Sequence, residues 1–67
     1  MEISGRNKIP GMVTKIECGP VVSKVVMEYE GGELTAIITT DAVKELRLRP
    51  GTYISALVKA TDVMIIR

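Results

Sequence analysis

The chain has 67 residues, which makes it a single domain (residues 1–67) near the lower size at which one core holds a fold without disulfide, metal or a second copy. One cysteine, Cys18, and no histidine mean that a lone chain builds neither a disulfide nor a Cys/His zinc site, so oligomerisation is the remaining support. Nine Lys and Arg against eight Asp and Glu leave a net charge of +1, too little for the footprint of a general nucleic-acid binder, and no apolar run approaches the roughly 18 residues of a membrane span. The expected setting is cytoplasmic, with neither nucleic acid nor membrane as partner.

In chain order, residues 11–18 alternate and predict a first strand, with Met12, Thr14, Ile16 and Cys18 on one face and Val13, Lys15 and Glu17 on the other. Gly19-Pro20 breaks it. Residues 21–29 form a second strand whose Val21, Ser23, Val25, Met27 and Tyr29 share a side, and the Gly31-Gly32 pair signals a hairpin into a third strand at 34–39. The period then changes: Thr40 or Asp41 caps a short helix that runs to Leu46 and turns Val43 and Leu46 to the core. Pro50-Gly51 ends that segment, residues 52–59 give a fourth strand, and residues 63–66 a fifth. Five short strands and one helix predict an all-β fold, a small OB-like antiparallel barrel. Valines on both faces of the second strand and apolar residues on both faces of the fifth predict that the barrel assembles as an oligomer.

Enzymatic chemistry has little to stand on. The usual general base is missing, Cys18 has no cationic sequence neighbour to activate it, and Glu28, Glu30 and Glu33 flank a tight turn where carboxylates solvate the loop. The chain reads as a binding protein. Two segments hold donors without acceptors: "SGRNK", from Ser4 through Gly5, Arg6 and Asn7 to Lys8, and "KAT", at Lys59, Ala60 and Thr61. The Arg6 guanidinium can present parallel N–H groups to two oxygens of a tetrahedral anion, Lys59 acts as a point charge, and hydroxyls and backbone N–H groups complete a cage. Such a cage favours fully ionised sulfate, molybdate or tungstate over phosphate, whose proton wants an acceptor. Taken singly these residues have plainer readings, Arg6 and Lys8 as surface cations, Lys59 as a snorkelling strand end and Ser4 as a turn former. Composition leaves the choice open. An OB-like barrel could instead bind single-stranded nucleic acid, but Tyr29 and Tyr53 are its only aromatics.

The same segments carry a resemblance. The order S-x-R-N-x-[IL]-x-G at residues 4–11, I-T-x-x-A/S-V-x-E-L at 38–46, L-x-x-G at 48–51 and V-K-A-T-x-V-M-I at 58–65 resembles the molbindins, small cytoplasmic molybdate-binding proteins made of one Mop (TOBE-type) domain. It covers the chain from about residue 3 to its end. The resemblance implies an OB-like barrel, hexamers built as trimers of dimers, and molybdate or tungstate held at subunit interfaces by hydrogen bonds alone. No metal–protein bond and no organic cofactor are implied. By the same resemblance Ser4, Arg6 and Lys59 supply side chains and Gly5 and Ala60 supply backbone N–H groups, with Thr61 where a serine is common. The implied role is molybdenum storage or homeostasis.

Overall fold

The computed structural model describes residues 6–67. Strand β1 (Arg6–Cys18) is followed by β2 (Val22–Tyr29), β3 (Gly32–Thr39), the helix α1 (Thr40–Glu45) and β4 (Tyr53–Lys59), after which Ala60–Asp62 makes one 3-10 turn. All neighbours are antiparallel in one sheet of order β3-β2-β1-β4. The mostly-β class and the short helix agree with the sequence expectation; the strand count and the closure do not. Residues 63–67 carry no strand pairing, and Met64, Ile65 and Ile66 are almost fully exposed. β3 and β4 therefore remain free edges. Four strands are too few to curl into contact, and the space between those edges is an open trough of about 710 Å³.

β1 is the longest element because it serves two ladders in succession. Its first half pairs with β4, from Arg6 opposite Lys59 to Met12 opposite Tyr53. Its second half pairs with β2, from Met12 opposite Glu28 to Cys18 opposite Ser23. The strand thus begins at Arg6, five residues before the position that alternation alone gives, and runs through Pro10. Proline is tolerated there for a geometric reason. Val13 donates to Thr52 O and accepts from Gly51 N, so alternation turns the nitrogen of residue 10 away from β4, to the side that the β2 ladder does not reach before Met12. Gly11 has its own constraint, since a Cβ there would run into the Glu28 carbonyl oxygen and the Met27 methyl.

A β-bulge corrects the predicted faces of β1. The register shifts between Val13 and Lys15, with Val13 opposite Met27 but Lys15 opposite Val26, and Thr14 fills the bulge with its hydroxyl donating to Val26 O at 3.3 Å. Val13 and Ile16 consequently face the same interior, although simple alternation separates them. Val13 is wholly buried and packs with Val25 and Val43, and Ile16, Ile38, Leu48 and Ile54 surround them. β2 follows its predicted side, with Ser23, Val25 and Met27 all buried. In the hairpin the two turn residues are Glu30 and Gly31, closed by Tyr29 opposite Gly32, and it is Gly32 that takes positive φ, at 146°.

α1 starts one residue earlier than predicted. The cap is Thr39, whose hydroxyl accepts from Ala42 N at 3.1 Å, which frees Thr40 for the interior. Thr40 Oγ1 donates to Gly19 O at 2.7 Å and lies 2.7 Å from Ser23 Oγ. A hydroxyl has one proton, so Ser23 is the donor of that second bond, and a directed chain runs from Ser23 through Thr40 to the loop carbonyl. At the other end Arg47 adopts a left-handed φ of 53°, with its N–H on Lys44 O and the Leu48 N–H on Val43 O. This turn carries Leu48 back to the core and leaves Leu46, predicted to be buried, 64% exposed at the rim of the trough.

The hydroxyl chain makes a graded prediction. Thr40→Val deprives both Gly19 O and Ser23 of a partner and should lower the unfolding free energy by about 2 kcal/mol, whereas Ser23→Ala leaves the bond to Gly19 intact and should cost about 1 kcal/mol. Urea denaturation with an unchanged slope measures both; equal effects would contradict the direction assigned to the chain.

Candidate functional site

The last rung of the β1–β4 ladder brings the two predicted donor segments together within one chain. Arg6 stands directly opposite Lys59, Asn7 opposite Val58 and Lys8 opposite Leu57. Counting back from Val13, whose backbone groups point to β4, the Arg6–Lys59 rung is a non-hydrogen-bonded pair. In such rungs the Cα atoms approach to about 4.5 Å and the side chains lie closest. Two cations so placed repel, and like charges directly opposite destabilise a strand pair. An anion between them reverses the sign of that interaction.

The surrounding electrostatics sharpen the contrast. Further along the same outer face Lys15 and Lys24 share Glu17, at 3.9 and 3.2 Å, and the hydrogen bond from Lys24, with the charge of Lys15, holds the Glu17 carboxyl below its ordinary pKa. Among the described residues no carboxylate lies within 4.0 Å of the cationic atoms of Arg6, Lys8 or Lys59. The corner offers guanidinium, ammonium, hydroxyl and N–H groups, a set dominated by positive charge and poorly suited to a bare metal cation. Its chemistry suits an anion.

Lys59 is also the residue from which the 3-10 turn starts, at φ −62° and ψ 140°, and it makes no side-chain cap to that turn. Ala60 and Thr61 follow at once, both exposed. The first N–H groups of such a turn have no partner inside it, so their backbone donors follow Lys59 directly in the chain and are left for an outside partner. Arg6, Lys59, Ala60 and Thr61 are thus gathered at one end of the sheet. Asn7 is not gathered with them: alternation turns it to the opposite face, where its Nδ2 donates to Val58 O at 3.3 Å and fastens β1 to β4. Ser4 and Gly5 lie outside the described residues. Lys8, set aside as a solvated charge in the sequence, shares the face of Arg6; the signal was its spacing of two once the strand begins at Arg6.

The trough between β3 and β4 is a different kind of surface. Val25, Met27, Leu34, Ile38, Ile54 and Val58 line it, and Thr35, Thr52, Tyr53 and Ser55 are the hydroxyl-bearing residues along it. Nothing in that lining is charged.

Comparison with known proteins places the chain in a family. The family model of the TOBE domain matches residues 3–65. Molybdenum-pterin-binding protein 2 of Clostridium pasteurianum is 45% identical over 67 residues, spanning 98% of each chain. The solved structure of a molybdate-binding protein from Sporomusa ovata superimposes with a TM-score of 0.92 at 49% identity, each chain covered completely. The cytoplasmic molybdate-binding protein ModG, solved with molybdate bound, gives a TM-score of 0.89 at 42% identity, with 96% of this chain matched to 46% of that one. With a family model across nearly its whole length and full-length relatives of this similarity, the chain belongs to the TOBE-domain family, among relatives named molybdenum-pterin-binding (Mop) proteins.

Proposed function

We propose that this protein binds molybdate or tungstate, as the intact oxyanion, at the end of the β1–β4 ladder, and that it serves as a cytoplasmic store or buffer of the anion. The observation that carries the reading is the Arg6–Lys59 rung, two cations opposed at the shortest cross-strand spacing without a carboxylate among the described residues to separate them. The names of the relatives supply the metal: molybdenum-pterin-binding and molybdate-binding proteins. Arg6 and Lys59 hold the charge, Ala60 and Thr61 add backbone and hydroxyl donors, and Ser4 and Gly5 belong to the set by the sequence resemblance. The anion binds and leaves without a bond made or broken, so the role is not enzymatic. No organic cofactor is part of the proposal.

Assembly belongs to the same proposal. The trough has two free strand edges and an apolar floor, and residues 63–66 of each chain are apolar, extended at Val63 (φ −83°, ψ 128°) and exposed. What one copy lacks another carries. The segment of a second copy laid into the trough would cover both surfaces, and repetition of such contacts leads to the hexamer, a trimer of dimers, in which oxyanions sit between subunits.

Titration with molybdate, tungstate, sulfate and phosphate should give the two large dianions the tightest binding and phosphate the weakest. Arg6→Ala and Lys59→Ala should each lose at least tenfold in molybdate affinity, since a charge-assisted hydrogen bond is worth about 1.5–3 kcal/mol, and Arg6→Lys should also weaken binding by losing the planar fork. The same two Ala variants should be no less stable than the wild type without anion, because each removes a repulsion. They should lose the rise in melting temperature that molybdate gives the wild type. Equal losses in Lys15→Ala and Lys44→Ala would reduce the site to general surface potential.

Sedimentation at micromolar concentration should find a hexamer. Ile65→Glu, exposed in the single chain and so harmless to its own core, should shift the population to smaller species. A wild type that sediments as a monomer would overturn the assembly.

A further inference from the structure

We infer that Lys8 is the charge-selecting residue of the anion corner, a third cation that sets how strongly a doubly charged tetrahedral oxyanion is preferred over a singly charged one of the same shape. The inference rests on the reading of the Arg6–Lys59 rung as an oxyanion site and adds a residue and a selectivity to it. Three observations carry it. β1 is regular between Arg6 and Met12, so Lys8 lies on the face of Arg6, one residue-pair along, and diagonal to Lys59. Those separations are roughly 7–8 Å between Cα atoms, close enough to feel a shared anion and too far to replace either contact.

The residue opposite Lys8 is Leu57, itself 55% exposed, which offers an apolar surface to the lysine stem and no charge to draw the ammonium away. Among the described residues no carboxylate lies within 4.0 Å of the Lys8 ammonium, whereas Lys15 and Lys24 on the same face both share Glu17. Among the described residues Lys8 is therefore in no ion pair, whereas Lys15 is. Arg6 and Lys59 already match a dianion in charge. A third positive charge about 7 Å away adds a factor of about three in affinity for each unit of anion charge, in water-exposed surroundings at low salt. A dianion gains that factor twice and a monoanion once, so the ratio of their affinities carries one factor of about three.

Molybdate and perrhenate provide the test, because both are tetrahedral tetraoxoanions and they differ by one unit of charge. Calorimetric titration at low ionic strength would compare the wild type with Lys8→Met, which keeps the stem against Leu57 and removes the charge, with Lys8→Arg, which restores it, and with Lys15→Met. The expected result is a molybdate-to-perrhenate affinity ratio about threefold lower in Lys8→Met, unchanged in Lys8→Arg and Lys15→Met. In the wild type the ratio should fall towards the Lys8→Met value as salt shortens the screening length from about 10 Å at 0.1 M to about 3 Å at 1 M. An unchanged ratio in Lys8→Met, an equal loss for both anions, or a loss as large in Lys15→Met would overturn the role of Lys8 and leave the oxyanion site standing. Failure of the wild type to bind either anion would overturn both.

Discussion

Everything at the proposed anion corner depends on how β1 is registered against β4, and that register is pinned at Val13. Its N–H and C=O both close on the segment leading into β4, at Thr52 O and Gly51 N, each at 2.8 Å, while its side chain is the most buried in the core. The bulge begins at the next residue. Val13 is thus where the strand passes from one ladder to the other, with backbone and side chain both committed. A slip of one residue towards β4 would bury nothing useful and would turn Arg6 to the face that Asn7 occupies. The placement of the two cations is a remote result of packing a valine.

The bulge resolves a conflict that a uniform strand could not. Towards β2, β1 must present Ile16 to the interior; towards β4 it must present Val13. These positions differ by three, an odd number, and strict alternation sends them to opposite faces. One extra residue, Thr14, restores the phase, and its hydroxyl finds a carbonyl on β2. The interior gains two aliphatics and the outer face keeps Lys15 and Glu17 in line with Lys24.

Much of this was legible in the sequence where the signal is local. The second strand, the glycine hairpin, the helix after Thr39 and the Pro50-Gly51 break all follow from periodicity and turn chemistry, and the four motifs named the family. What was not legible depended on contacts between distant segments. Nothing in "RNK", residues 6–8, says that it is a strand, because its pairing with β4 is across more than 50 residues, as the Asn7 amide on Val58 O shows. That pairing sends Asn7 away from its neighbours and brings Lys8 beside Arg6. The bulge is decided by two ladders at once, and the helix cap moved to Thr39 because the Thr40 hydroxyl had a buried partner in Ser23. Residues 63–66 have the composition of a strand, yet in the single chain they pair with neither free edge, β3 nor β4.

The span of the β1–β4 ladder has a consequence for the order in which the molecule comes into being. β1, β2 and β3 are joined by short turns and can meet as soon as they exist, whereas the rung that holds Arg6 and Lys59 closes a loop of more than 50 residues. Loop closure makes long-range pairings slow relative to hairpins. During synthesis the first cation of the corner is made more than 50 residues before its counterpart. The β1–β2–β3 meander can therefore form before β4 exists, and the proposed oxyanion corner is assembled only in the later step that adds β4 to the sheet.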